Sequence, residues 1–425
     1  MKILWLVNIP LPEVSILMGE RPLPYGGWLI NASLELSKKD NIDLSITYPK
    51  NKIKNYKKIK GDRITYYAFQ SIKKNNLNQI VVNYDLKGII EEVNPELVHI
   101  FGTELPHTLA MVNVCIMKNV KTVLSIQGLV SMIEGHMFAN LPFKVIYGCT
   151  LRNLLLKDNI ARLRKTFYTR GKNEIEAIKK TNNIIGRTTW DKACTLQINS
   201  KAKYFFCNET LREEFYKNKW ELDRCERNSI FLSQGQYSFK GMHYIIKAMP
   251  FVLDRFPDAK LYISGKNIIK SNTIKDKLLL TYYGKYIKKQ IKELDIESNV
   301  IFTGLLEEKK MCERYLKTHV FVSASSIENS PNSLGEAMIL GVPCIASYVG
   351  GIPDMLKHEE DGFLYQTDAP YMLAYYICKV FENDNLALVF SENARKHSLK
   401  THDKENNTKR MMEIYEEVIG NEKML

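Results

Sequence analysis

The chain has 425 residues and a formal net charge of +13, with 45% of residues hydrophobic and 25% charged. That length exceeds a single core and predicts two domains of about 200 residues each. No run approaches the roughly 18 apolar residues of a membrane span, and eight scattered cysteines with no Cys-x-x-Cys motif argue for buried thiols in a reducing compartment rather than disulfides or zinc.

In chain order, Ile3–Val7 is a short apolar run that stops at Asn8, which reads as a first strand and not as a signal peptide. Tyr25-Gly26-Gly27-Trp28 then opens a helix over 28–39, and its two glycines let backbone N–H groups approach a ligand closely. Strands are expected at 44–48, 64–68, 97–101, 122–126, 183–186 and 203–206, with helices around 84–93, 107–118 and 172–180. The second half alternates more regularly. Strands at 229–232, 260–263, 299–302, 320–322, 342–346 and 362–365 are separated by helices at 241–255, 275–294, 308–317, 333–340, 353–357 and 370–383, the pattern of a doubly wound parallel sheet. The domain boundary is placed in the polar stretch around 216–228.

The most informative segment runs from Ser326 to Pro343. Ser330 is a candidate N-cap and Pro331 suits the first helical position. Ala337, Met338 and Leu340 carry the helix to Gly341, a left-handed terminator. The frame is strand, loop, helix, strand. It opens a helix N-terminus, with free N–H groups and a positive dipole end, at the carboxyl edge of a sheet, where a phosphate is favoured. Glu328 precedes this helix and Glu336 lies one turn inside it.

This Glu-x7-Glu segment, with Gly341-Val342-Pro343 and Gly350-Gly351-Ile352-Pro353 behind it, resembles the retaining glycosyltransferases of the GT-B fold, family 4. The resemblance implies an α/β architecture of two Rossmann-like doubly wound domains facing across a cleft: residues 1–222 on the acceptor side, 223–400 on the nucleotide-sugar side, and a final helix, 401–425, packing back on the first domain. It implies that Glu328 lies at the donor sugar, that Glu336 binds the nucleotide ribose, and that Asn332, Ser333 and Leu334 present the helix start to the diphosphate. Lys240, in Ser233-Gln-Gly-Gln-Tyr-Ser-Phe-Lys-Gly241, would neutralise the leaving diphosphate. The family's Arg about five residues before that Lys is replaced by Gly235, and Gln234 or Gln236 would serve instead; this spelling is similar to a bacterial capsule and exopolysaccharide-type branch. In the first domain the implied cleft residues are Gly26, Gly27, Gln127 (where the broader family often has His), Glu104 and Arg187. Arg187 is expected to bind an anionic acceptor or to pair with Asp191.

Charge is uneven along the sequence. Residues 1–227 carry 35 Lys+Arg against 22 Asp+Glu, whereas 228–425 carry 25 of each. Eight basic residues between 141 and 172, interleaved with apolar ones, read as a basic amphipathic membrane-surface contact. No Asp-x-Asp, no His pair at i,i+4, no P-loop and no nucleic-acid-binding motif occurs. The expectation is a metal-independent, retaining hexosyltransferase with no cofactor. It would use a UDP- or GDP-sugar donor and a lipid-linked or glycan acceptor in surface polysaccharide synthesis, in the cytoplasm, peripheral on the inner face of the cell membrane, with an anionic membrane surface as partner and no nucleic acid. An inactive nucleotide-sugar-binding scaffold and a GT-B sugar-nucleotide epimerase are the alternatives.

Overall fold

The computed structural model describes residues 1–23, 26–72 and 83–420. Two units divide them. The first comprises Met1–Met132, Tyr168–Leu211 and the residues from His402 through the last helix; the second comprises Ile133–Phe167 and Arg212–Thr401. Counted by unit rather than by half-chain, the basic excess is shared. The first unit, counted to Gly420, has 27 Lys+Arg against 20 Asp+Glu, and the second 32 against 26. The basic segment 133–167, early in sequence, belongs to the second unit.

The first unit is built on an eight-stranded sheet of β1 (Lys2–Leu6), β2 (Asp43–Lys50), β3 (Lys57–Lys60), β4 (Thr65–Gln70), β5 (Leu97–Phe101), β6 (Lys121–Ser125), β7 (Asn183–Gly186) and β8 (Lys203–Phe206). Its order is β3-β4-β2-β1-β5-β6-β7-β8, parallel except for the β3/β4 pair. The antiparallel edge strand β3, Lys-Lys-Ile-Lys, is one that hydropathy patterning misses. Its lysines protect the edge from further pairing. Trp5, Ile46, Tyr66 and Phe101 pack one face with Ile414, Tyr415 and Val418 of the helix Lys404–Gly420. A buried polar chain crosses that core: Trp5 Nε1 donates to Tyr415 Oη at 2.9 Å, Tyr415 Oη lies 2.5 Å from His99 Nδ1, and His99 Nε2 lies 2.6 Å from Ser125 Oγ.

The second unit holds a six-stranded parallel sheet of β9 (Glu226–Leu232), β10 (Lys260–Ser264), β11 (Val300–Gly304), β12 (Thr318–Ser323), β13 (Cys344–Ser347) and β14 (Gly362–Tyr365). Its order is β11-β10-β9-β12-β13-β14, the 3-2-1-4-5-6 arrangement of a dinucleotide-binding fold. Strand β12 is buried along its whole length, as expected of a parallel strand covered on both faces. The order reverses between β9 and β12, so the loops leaving those two strands lie at the sheet's topological switch point, the usual ligand position of this fold. In the first unit the reversal falls between β1 and β5.

Candidate functional site

Lys240 and Glu328 come from the two loops at the second unit's reversal point. The β9 loop ends in a short 3-10 turn, Ser238–Lys240, and the β12 loop carries Ser325 and Glu328 toward the helix Asn332–Leu340. Lys240 Nζ lies 2.5 Å from Glu328 Oε1, and Ser325 Oγ donates to that same oxygen at 2.7 Å. Two glycines permit this approach. Gly241 has φ +74°, and a Cβ there would stand 1.7 Å from the Ala324 carbonyl oxygen. Gly350 has φ +50°, a Cβ there would meet the Glu328 carbonyl oxygen at 1.9 Å, and the Gly351 N–H donates to that carbonyl at 3.0 Å. Three N–H donors on an ammonium leave two for a ligand when one serves Glu328.

The helix starts at Asn332, one residue after the Pro331 start given by the capping signals and one before the start of the expected 333–340. Pro331, not Ser330, is the N-cap, and no side chain caps it. Leu334 N–H turns back to the Pro331 carbonyl at 3.0 Å. Asn332 and Ser333 hold the first-turn N–H groups that a helix cannot satisfy internally. Gly341 terminates the helix with φ +82°, as read from sequence.

Glu336 is buried, and Arg212 meets it with a fork: Nε donates to Oε1 at 2.6 Å and Nη2 to Oε2 at 2.7 Å. Burial pushes the Glu336 carboxyl above its ordinary value and Arg212 opposes the shift. The bidentate fork to an always-charged guanidinium favours the ionised form. A carboxylate has about four acceptor positions, so two remain for hydroxyls of a ligand.

Gln234 and Gln236 are half-buried in the β9 loop. Between them Gly235 lies against Met242, whose Cε would stand 2.2 Å from a Cβ there, so an Arg at this place requires the Met242 side chain to move. Gln236 faces a cavity of about 530 Å³ within the second unit, walled also by Arg152, Asn153, Lys266 and Tyr283. That volume suits a small ligand.

In the first unit, Gly26 caps the helix Gly27–Ser37 with φ +84°, its Cβ direction blocked by Ile9 Cδ1 at 2.4 Å. Tyr25 lies outside the described residues. Glu104 follows β5, and burial pushes its carboxyl up while Arg170 opposes. Both loops flank the β1/β5 reversal. Gln127 and Arg187 are drawn instead to Glu209. Gln127 Nε2 donates to Glu209 Oε1 at 2.6 Å, Arg187 Nη1 pairs with Glu209 Oε2, and Arg187 Nη2 donates to the Gln127 carbonyl at 3.2 Å. Asp191, the partner expected for Arg187, takes only its backbone N–H, at 3.0 Å.

Sequence reasoning missed Ser325, Glu209 as an anchor, and Glu174. The last is fully buried on the helix Ile160–Lys180 and accepts from the Thr103 and Ser131 hydroxyls, both at 2.5 Å. It fixes the residue next to Glu104. Only Ser325, three residues before Glu328, carries a local signal. Among the described residues no group of three His, Cys, Asp or Glu side chains is arranged to hold a metal.

Residues 214–397 match the family described as glycosyl transferases group 1. That domain contains Lys240, Glu328 and Glu336. An uncharacterized glycosyltransferase of Methanocaldococcus jannaschii is 27% identical over 190 residues, 45% of this chain and 45% of its own; the match thus spans about half the length of such relatives. Among solved structures, sucrose-phosphate synthase from Thermosynechococcus elongatus superposes with a TM-score of 0.66 at 14% identity, covering 99% of this chain and 100% of that one. Anabaena HepE in complex with UDP and glucose gives 0.65 at 14%, covering 97% and 98%. Together they establish the fold: two Rossmann-like domains, as in GT-B glycosyltransferases.

Proposed function

We propose that the protein is a retaining glycosyltransferase that moves a sugar from a nucleoside diphosphate sugar to an acceptor hydroxyl, without a metal. The observation that carries this reading is the Lys240–Glu328 pair, 2.5 Å long, at the second unit's reversal point. Lys240 and the N–H groups of Asn332 and Ser333 receive the diphosphate, where charge grows as the bond from the anomeric carbon to the phosphate oxygen breaks; the Leu334 N–H, expected to join them, is instead taken by the Pro331 carbonyl at 3.0 Å. Glu328 orients the donor sugar and steadies positive charge at that carbon. Glu336, held by Arg212, accepts from the ribose hydroxyls. The acceptor oxygen bonds to the anomeric carbon on the face the diphosphate leaves, and its proton passes to the departing phosphate oxygen, so no enzymic base is required. Gln234 and Gln236 add donor contacts, and the cavity beside Gln236 gives room for a sugar.

In the first unit, Gly26, Gly27 and Glu104 are assigned to the acceptor. Gln127 and Arg187 act through Glu209 as a scaffold. The donor is a UDP- or GDP-sugar, consistent with a structural relative solved with UDP and glucose. The acceptor is a lipid-linked oligosaccharide of capsule-type surface polysaccharide synthesis, met at the cytoplasmic face of the cell membrane. The test is turnover of a panel of UDP- and GDP-sugars with lipid-linked acceptors. The reading predicts a glycoside of unchanged anomeric configuration, with Glu328→Gln and Glu104→Gln impaired and Glu104→Gln keeping donor affinity. Absence of any glycoside, or an inverted one, overturns it.

A further inference from the structure

Two short helices of the second unit are built inside out. In Leu151–Leu156 the polar Asn153 is buried whereas Leu151, Leu154, Leu155 and Leu156 are exposed, Leu155 by 81%. In Ile274–Leu279 the half-buried residue is Asp276, and Ile274, Leu278 and Leu279 face solvent, Ile274 by 78%. The two lie more than a hundred residues apart in sequence, yet they touch. Two hydrogen bonds fix them together: Thr150 Oγ1 donates to the Leu280 carbonyl at 2.7 Å, fully buried, and the Tyr282 N–H donates to Asn153 Oδ1 at 2.8 Å. The seven apolar side chains therefore stand on a fixed platform.

Folding does not explain this polarity, since burying a leucine is favourable by about 1.5–3 kcal/mol and the seven are left between half and four-fifths exposed. A clustered apolar surface of this kind marks an interaction site. Charge around it selects the partner. Lys157, Lys275 and Lys277 are exposed on or beside the two helices, and the carboxylates there are engaged. Asp158 pairs with Arg152 at 2.7 Å and accepts from Asn153 at 2.8 Å; Asp276 accepts the Thr273 N–H at 3.1 Å and lies 3.6 Å from Lys270. Leucines ringed by uncompensated lysines match an anionic bilayer, into which the apolar side chains insert while the ammonium groups meet headgroups.

We propose that Leu151–Leu156 and Ile274–Leu279 together form a membrane-docking platform on the nucleotide-binding unit, specific for anionic lipid. This goes beyond the sequence pattern, which marks only the first of the two segments. It also stands apart from the transferase reading, because docking requires neither donor nor turnover.

The test is vesicle co-sedimentation of the whole protein without nucleotide, using phosphatidylcholine with and without phosphatidylglycerol. Wild type is expected to sediment with the phosphatidylglycerol vesicles and not with phosphatidylcholine alone. Leu154→Ser/Leu155→Ser/Leu278→Ser is expected to lower that binding roughly tenfold or more, and Lys157→Gln/Lys275→Gln/Lys277→Gln to lower it by a similar order. All six side chains are exposed, so an unchanged thermal transition confirms folding. Wild type that stays in the supernatant, or leucine variants that bind as wild type does, overturns the proposal. A wild-type dimer dissolved by the leucine variant, with no vesicle binding, replaces it with self-association.

Discussion

Arg212 grips both carboxylate oxygens of Glu336, at 2.6 and 2.7 Å, inside the second unit. This fork makes one residue both a structural anchor and a candidate ligand for ribose. Glu336→Ala leaves the half-buried guanidinium unpaired, and a loss of about 3 kcal/mol is expected, read as a drop in the urea midpoint. Arg212→Met/Glu336→Leu removes both charges and is expected to recover most of that loss while nucleotide binding stays absent. If the double variant still binds nucleotide, Glu336 does not hold the ribose.

Gly241→Ala is expected to be far worse than an ordinary surface change. The residue has φ +74° and its Cβ would stand 1.7 Å from the Ala324 carbonyl oxygen. Left-handed backbone alone costs on the order of 1–3 kcal/mol, and relief of the contact must separate the Lys240 loop from the Glu328 loop. Differential scanning calorimetry should show a lower transition, and titration should show weakened donor binding. An unchanged transition would mean that the two loops do not pack as described.

Much of the candidate site's frame is legible in sequence because its signals are local. Gly341, with φ +82°, ends the helix where a left-handed residue is wanted, and the strands on either side are short apolar runs. Errors arise where a tertiary partner overrides the local signal. The helix expected over 275–294 is two, Ile274–Leu279 and Tyr282–Glu293, because Leu280 is extended and Thr281 caps the second by accepting from the Gly284 N–H at 2.9 Å. The basic stretch 141–172 is not one amphipathic surface. Val145, Ile146 and Ile160 are buried, and Leu151 and Leu154–Leu156 are not. Arg187 pairs with Glu209, 22 positions away, a partner no spacing rule selects.

Acid should destabilise the protein through buried imidazoles. Burial lowers His99 to about 3, and His107, His243 and His319 to about 4. In the unfolded chain a histidine takes up a proton near about 6.5. Between these values the unfolded state binds more protons, so stability is present in full above about pH 6.5 and falls as pH drops toward about 4. Each such group contributes at most about 1.4 kcal/mol per pH unit. Thermal transitions recorded from neutral pH downward should fall across this window. His319→Asn should make the slope shallower; an unaltered slope would mean His319 is protonated in the folded state.

The most direct test of the central claim is calorimetric titration of UDP, GDP and ADP against wild type and Lys240→Ala. One diphosphate is expected to bind wild type, and Lys240→Ala to weaken it by roughly tenfold or more, the loss of one charge-assisted contact. Binding of none of them, or equal affinity in the variant, would contradict the assignment of the Lys240 and Glu328 loops to a nucleoside diphosphate sugar.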